Sequence, residues 1–131
     1  MNVLLIDDHP LIHETVRAIV RSVRPSAEVH SQFDLAGGLF EAARLSELEL
    51  VLLDPGLPDC RGMDTLAKFR KAVPGARVVI ISADEDIEHV DAALAQGAVG
   101  YLPKTLRPKA MADALRVVLD GGTYRPSSAA A

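Results

Sequence analysis

Four short apolar runs, VLLI (3–6), LVLL (50–53), VVII (78–81) and AVGYL (98–102), constrain this chain more than any other feature. Each is about strand length, rich in Val, Ile and Leu, and free of polar alternation. A strand with one wet face alternates, whereas a strand covered on both faces does not. These runs therefore predict a parallel sheet with helices on each side. A more polar stretch, AEVHSQF (27–33), supplies a fifth strand and reads as an edge.

Between the runs, apolar residues recur at helical spacing. Ile12, Val16, Ile19, Val20 and Val23 share one face from Pro10 to Val23, and Pro10 suits a first helical turn. Asp34 is placed to cap a second helix carrying Leu35, Leu39 and Ala43, although Gly37 and Gly38 lower its propensity. Met63, Leu66 and Phe69 mark a third helix, ended by Pro74 and Gly75. Ile87, Val90 and Leu94 mark a fourth that stops near Gly97, and Met111, Leu115 and Val118 a fifth, opened around Pro108 and closed by Gly121 and Gly122. Five β-α alternations predict one α/β domain with right-handed crossovers. The expected boundaries are a domain over 1–120 and, over 121–131, a tail or the start of a linker, because GGTYRPSSAAA loses all periodicity.

The charge balance narrows the function classes. A net charge of −4, with acids and bases interspersed, lacks the basic face that grips nucleic acid. The first apolar run is too short for a signal peptide or membrane span, so a cytoplasmic setting without membrane contact is expected. Cys60 stands alone, which excludes an intrachain disulfide, and it reads as an exposed loop thiol. The four histidines read as surface residues. His9 and His13 have the spacing of two zinc ligands on a helix, but His9 precedes Pro10 at the helix start.

Polar residues collect where the apolar runs end. Asp7 and Asp8 follow the first run, Asp54 follows LVLL, Ser82 follows VVII, and Lys104 lies just past AVGYL. In a parallel sheet these ends share one edge, where open α/β sheets bind their ligands. Singly, each has an ordinary explanation: a solvated acidic loop, a turn aspartate before Pro-Gly, a helix cap, a surface lysine. Their matching positions favour a common pocket instead. Three carboxylates together are unfavourable until something neutralises them. Mg²⁺ does so while keeping waters for a phosphorylated partner, and Lys104 offers a point charge to a phosphoryl oxygen. The chemistry implied is phosphoryl transfer to a carboxylate.

The ordered set IDDHP (6–10), LLDPGLPDCRG (52–62), IISA (80–83) and GYLPK (100–104) resembles the receiver domains of two-component response regulators, over about residues 2–120. DDHP, GYLPK and the closing GG-x-Y-x-P are most similar to the NarL/LuxR group. The resemblance implies a flavodoxin-like (βα)5 fold with a five-stranded parallel sheet in the order 2-1-3-4-5. It implies Asp54 as phosphoacceptor and Mg²⁺ held by Asp7, Asp8, Asp54 and the Gly56 carbonyl. Lys104 would pair with the phosphoryl group, with Ser82 as switch hydroxyl and Tyr101 as switch aromatic. On phosphorylation Ser82 would move inward and Tyr101 would turn in behind it, reshaping the face made by the fourth helix, fifth strand and fifth helix. The implied partners are a sensor histidine kinase, a second copy in a homodimer, and a helix-turn-helix output domain beyond this chain. Such a protein is a switch rather than a metabolic enzyme, though one that assists its own phosphorylation and hydrolysis.

Two departures stand out. Pro55 follows the phosphoacceptor position where the family commonly has an aliphatic residue, and Thr105 follows Lys104 where many relatives have proline. Pro55 is the best support for a rival reading, an interaction module that is never phosphorylated. An aspartyl phosphatase of the dehalogenase type is a second rival, but it wants an acid two positions after the nucleophile, where Gly56 stands.

Overall fold

The computed structural model describes residues 1–126. Five strands and five helices alternate along the chain. They are β1 (Asn2–Ile6), α1 (Pro10–Val23), β2 (Glu28–Gln32), α2 (Leu35–Arg44), β3 (Leu48–Leu53), α3 (Met63–Ala72), β4 (Arg77–Ser82), α4 (Ile87–Ala95), β5 (Gly100–Pro103) and α5 (Pro108–Leu119). The strands form one sheet in the order β2-β1-β3-β4-β5, with every pairing parallel. This is the expected doubly wound, flavodoxin-like arrangement, with the polar β2 at an edge.

The central strands are apolar throughout because both sheet faces are covered. Along β1, Val3 and Leu5 face α1 and α5 and pack with Val16, Val20, Leu115 and Val118. Leu4 and Ile6 face the other way and pack with Leu35, Leu66, Phe69 and Val90 of α2, α3 and α4. Each fully buried Leu or Ile contributes about 1.5–3 kcal/mol, so the two layers together fix which face every strand presents.

Several local expectations shift. Strand β5 begins at Gly100 rather than Ala98, and after α5 the chain returns to its outer edge, where Tyr124 bridges Gly100. On α2 the residue turned inward is Ala42, while Ala43 is exposed. The helix sits so close to the sheet that a Cβ on Gly38 would press into the Ile6 side chain, which explains a glycine in mid-helix. Asp34 caps α2 by accepting from the Gly37 N–H at 2.7 Å, as expected, and Asp59 adds bonds from the Leu35 and Ala36 amides. The cap of α4 is Asp86 and not Ser82. Cys60 is buried in the α2–α3 layer, not exposed, because the turn after β3 folds back onto that layer. His13 is also buried, since it lies on the inner face of α1.

Candidate functional site

Sheet register builds the site. Ile6 pairs with Leu53 across β1 and β3, so the residues that follow, Asp7 and Asp54, emerge side by side. The Asp54 amide still donates to the Ile6 carbonyl at 2.9 Å, and the Lys104 amide to the Ser82 carbonyl at 2.8 Å. Strand pairing thus reaches Asp54 and Lys104 themselves. Pro55 and Gly56 then turn the chain, and the turn is pinned by the Gly62 amide and the Thr65 hydroxyl, both donating to the Pro55 carbonyl.

Asp7 and Asp54 are buried, and Asp8 and His9 are exposed at the rim. Lys104 Nζ lies 2.8 Å from Asp7 Oδ2 and 3.0 Å from Asp54 Oδ2. The other oxygen of Asp54 accepts from the Gly56 N–H at 2.8 Å. Burial raises the Asp54 pKa above the ordinary carboxylate value. The Gly56 amide and Lys104 pull against that shift, and the neighbouring Asp7 charge adds to it. Asp7, Asp8, His9 and Asp54 each offer a ligand atom within 4.8 Å of the others. Hard oxygen donors grouped in this way suit a small divalent cation better than a soft one. His13 is not part of that group, so the pairing of His9 with His13 as zinc ligands does not form.

An open cleft of about 430 Å³ leads to Asp54, with Ser82, Ala83, Asp84 and Lys104 along one wall and Gly56, Arg61 and Gly62 along another. Ser82 is buried, and its Oγ accepts from the Asp84 amide at 3.1 Å. Tyr101, expected to turn inward on phosphorylation, already lies inward here with only 2% of its surface exposed. Its hydroxyl donates to the Asp84 carbonyl at 2.6 Å, and burial raises its pKa. Asp7, Asp8, Asp54, Gly56, Ser82 and Lys104 therefore converge, with Tyr101 in the layer behind them. Sequence reading missed His9, whose ring Nδ1 is 2.8 Å from Asp7 Oδ1 and 3.1 Å from Lys104 Nζ, and Arg61 at the cleft mouth. Their places inside the DDHP and PDCRG segments were the available signal.

A doubly wound α/β domain with an acid pocket and one lysine defines a class of small α/β modules whose ligand site lies at the carboxyl edge of the sheet. Comparison with known proteins assigns the member: the chain belongs to the response regulator receiver domain family, which it matches over residues 3–116. It is 35% identical over 124 residues to the glycerol metabolism activator of Pseudomonas putida, covering 95% of this chain and 56% of that protein. It is 34% identical over 119 residues to the nitrate/nitrite response regulator protein NarL of Escherichia coli K12, covering 91% and 55%. Among solved structures, a LuxR family DNA-binding response regulator from Silicibacter pomeroyi is similar at 25% identity and a TM-score of 0.83, covering 98% of each chain. A CheY-like receiver domain protein from Methanospirillum hungatei is similar at 25% identity and a TM-score of 0.76, covering 91% of this chain and 93% of that one. The relatives are NarL/LuxR-type transcriptional regulators, and the chain spans about half the length of these curated ones.

Proposed function

We propose that this receiver takes a phosphoryl group on Asp54 from a sensor histidine kinase in the cytoplasm and acts as a switch. The observation that carries the reading is the Asp54 carboxylate at the end of an open cleft, one oxygen held by the Gly56 amide and the other 3.0 Å from Lys104. An Asp54 oxygen attacks phosphorus, the new P–O bond forms as the phosphohistidine P–N bond breaks, and the electron pair leaves with the imidazole. Asp7, Asp8, Asp54 and the Gly56 carbonyl would hold Mg²⁺, which supplies positive charge to the transferring oxygens. Lys104 then exchanges its carboxylate contact for a phosphoryl oxygen, and Ser82 donates its hydroxyl to another.

Switching follows as a population shift. A phosphoryl group drawing on Ser82 favours the packing in which Tyr101 is inward over any in which it is outward. That packing sets the α4–β5–α5 face, which would govern dimerisation or contact with a helix-turn-helix output domain. Incubation with acetyl phosphate and Mg²⁺, followed by intact mass measurement, tests the reading. One added phosphoryl group on the parent and none on Asp54→Asn is the expected result. An unlabelled parent would favour the interaction module, and multiple turnover of phosphomonoesters the phosphatase.

A further inference from the structure

The turn after β3 is a small hairpin that places one cation at the mouth of the Asp54 cleft. The Leu57 amide donates to the Cys60 carbonyl at 3.1 Å, Gly56 and Arg61 form an antiparallel bridge, and the Gly62 amide donates to the Pro55 carbonyl at 2.9 Å. Neighbouring residues of an extended pair point opposite ways. Cys60 is accordingly buried in the α2–α3 layer, while Arg61 is exposed and lines the cleft. Arg24, Arg44, Arg116 and Arg125 each hold a carboxylate, whereas among the described residues Arg61 holds none. The nearby Asp59 is spent on the Leu35 and Ala36 amides.

A doubly charged phosphodonor entering this cleft meets acids first. Asp84 lines it, and the Asp86 amide above all holds the Asp84 carboxyl below its ordinary pKa, so it is ionised at neutral pH. On the floor, Lys104 is shared between Asp7 and Asp54. Arg61 is the permanent cation with its charge unspent, and a guanidinium stays protonated at every working pH. Its planar fork matches two oxygens of a phosphoryl group. We propose that Arg61 recognises the phosphodonor at the cleft mouth, binding the doubly charged phosphoryl group before transfer, an assignment that rests on the phosphoryl transfer to Asp54 proposed above. It acts on binding and not on the bond-making step, which Lys104 serves at the floor.

The experiment separates binding from transfer. Methylphosphonate offers the same charged oxygens on a P–C bond that cannot be transferred. It is titrated with Mg²⁺ into the isotope-labelled 131-residue chain and followed by NMR at the Gly56 and Lys104 amides. Arg61→Gln, checked for parent-like circular dichroism, should bind it about three- to fivefold more weakly, and added salt should shrink the difference. Labelling by acetyl phosphate at low concentration should slow by the same factor, the mark of lost ground-state binding. Arg61→Lys, which keeps the charge, should recover most of both. Lys68→Gln, exposed on α3 and outside the cleft, removes the same charge and should change neither. Parent-like binding by Arg61→Gln, or an equal loss in Lys68→Gln, would overturn the assignment even if Asp54 is still labelled. A parent that binds methylphosphonate through Arg61 but is never labelled would instead sink the Asp54 reading and leave Arg61 as the anion-binding residue.

Discussion

Lys104 Nζ lies 3.0 Å from Asp54 Oδ2, joining the end of β5 to the end of β3 across the mouth of the sheet. The same ammonium is 2.8 Å from Asp7, so one cation holds two acids that a divalent ion would also claim. Lys104→Met should therefore have opposite effects on two measurements. Mg²⁺ affinity, read by calorimetry, should rise because the competing charge is gone. Labelling of Asp54 by acetyl phosphate should slow by about tenfold or more, since a charge-assisted bond is worth about 1.5–3 kcal/mol. Equal labelling rates in the two proteins would remove Lys104 from the transfer step.

Burial raises the Asp54 pKa, against the Gly56 amide and Lys104. A carboxyl whose folded pKa lies above its unfolded one holds its proton more tightly in the native state. Stability from that group is present below the ordinary carboxylate pKa and is lost as pH rises through the raised value. At neutral pH, Asp54 thus costs stability. Asp54→Asn should melt above the parent there, and its advantage should shrink on acidification and vanish near the ordinary carboxylate value. An advantage that grew on acidification would reverse the assigned sign.

The strands and the acid pocket were legible because both rest on chain-local signals. Unbroken apolar runs mark doubly covered strands, and a carboxylate directly after such a run must sit at the sheet edge. What was hidden depends on distant packing. Cys60 and His13 are buried by neighbours far away in sequence, so a lone thiol and an i, i+4 histidine gave no sign of it. Ala42 and Ala43 are chemically alike, and the face of α2 that turns inward is the one that carries Leu35, Gly38 and Ala42. The inward Tyr101 rests on a bond to the Asp84 carbonyl, which no sequence pattern encodes.

Gly38 tests the close approach of α2 to Ile6. A Cβ there would stand 2.9 Å from Ile6 Cγ1 and nearer still to Cδ1, against a β-branched side chain fixed in the sheet. Gly38→Ala should gain about 1 kcal/mol of helix propensity. Overpacking of about 1–3 kcal/mol should outweigh that gain and leave a net loss, read as a lower urea midpoint with an unchanged slope. A stabilised variant would mean that α2 can retreat from the sheet.

Tyr101→Phe keeps the ring in its layer and removes only the bond to the Asp84 carbonyl. The expected cost is about 0.5–1.5 kcal/mol, far below that of truncation to Ala. Amide exchange should quicken in the segment between β4 and α4, because Asp84 also bonds Ser82 Oγ and the Asp86 amide. Unchanged exchange there would show that the hydroxyl does not tie the segment down.

The stretch after α5 reads as structureless in sequence, yet it closes the sheet. The Tyr124 amide donates to Val99 at 3.1 Å, the Tyr101 amide donates to Tyr124 at 3.2 Å, and Arg77 Nη2 donates to the Gly122 carbonyl at 2.7 Å. A chain ended at Asp120 should lose these three bonds and uncover the outer edge of β5. At about 1 kcal/mol for each bond, less what water restores, the expected loss is about 1–3 kcal/mol in urea unfolding. An open edge also invites strand pairing between molecules, so the shortened chain should associate at concentrations where the parent does not. Tyr124→Ala keeps the backbone bonds and loses only side-chain packing, so its cost should be the smaller of the two. If both variants unfold with the parent, the return of the chain to β5 contributes nothing to the fold, and α5 is its last structural element.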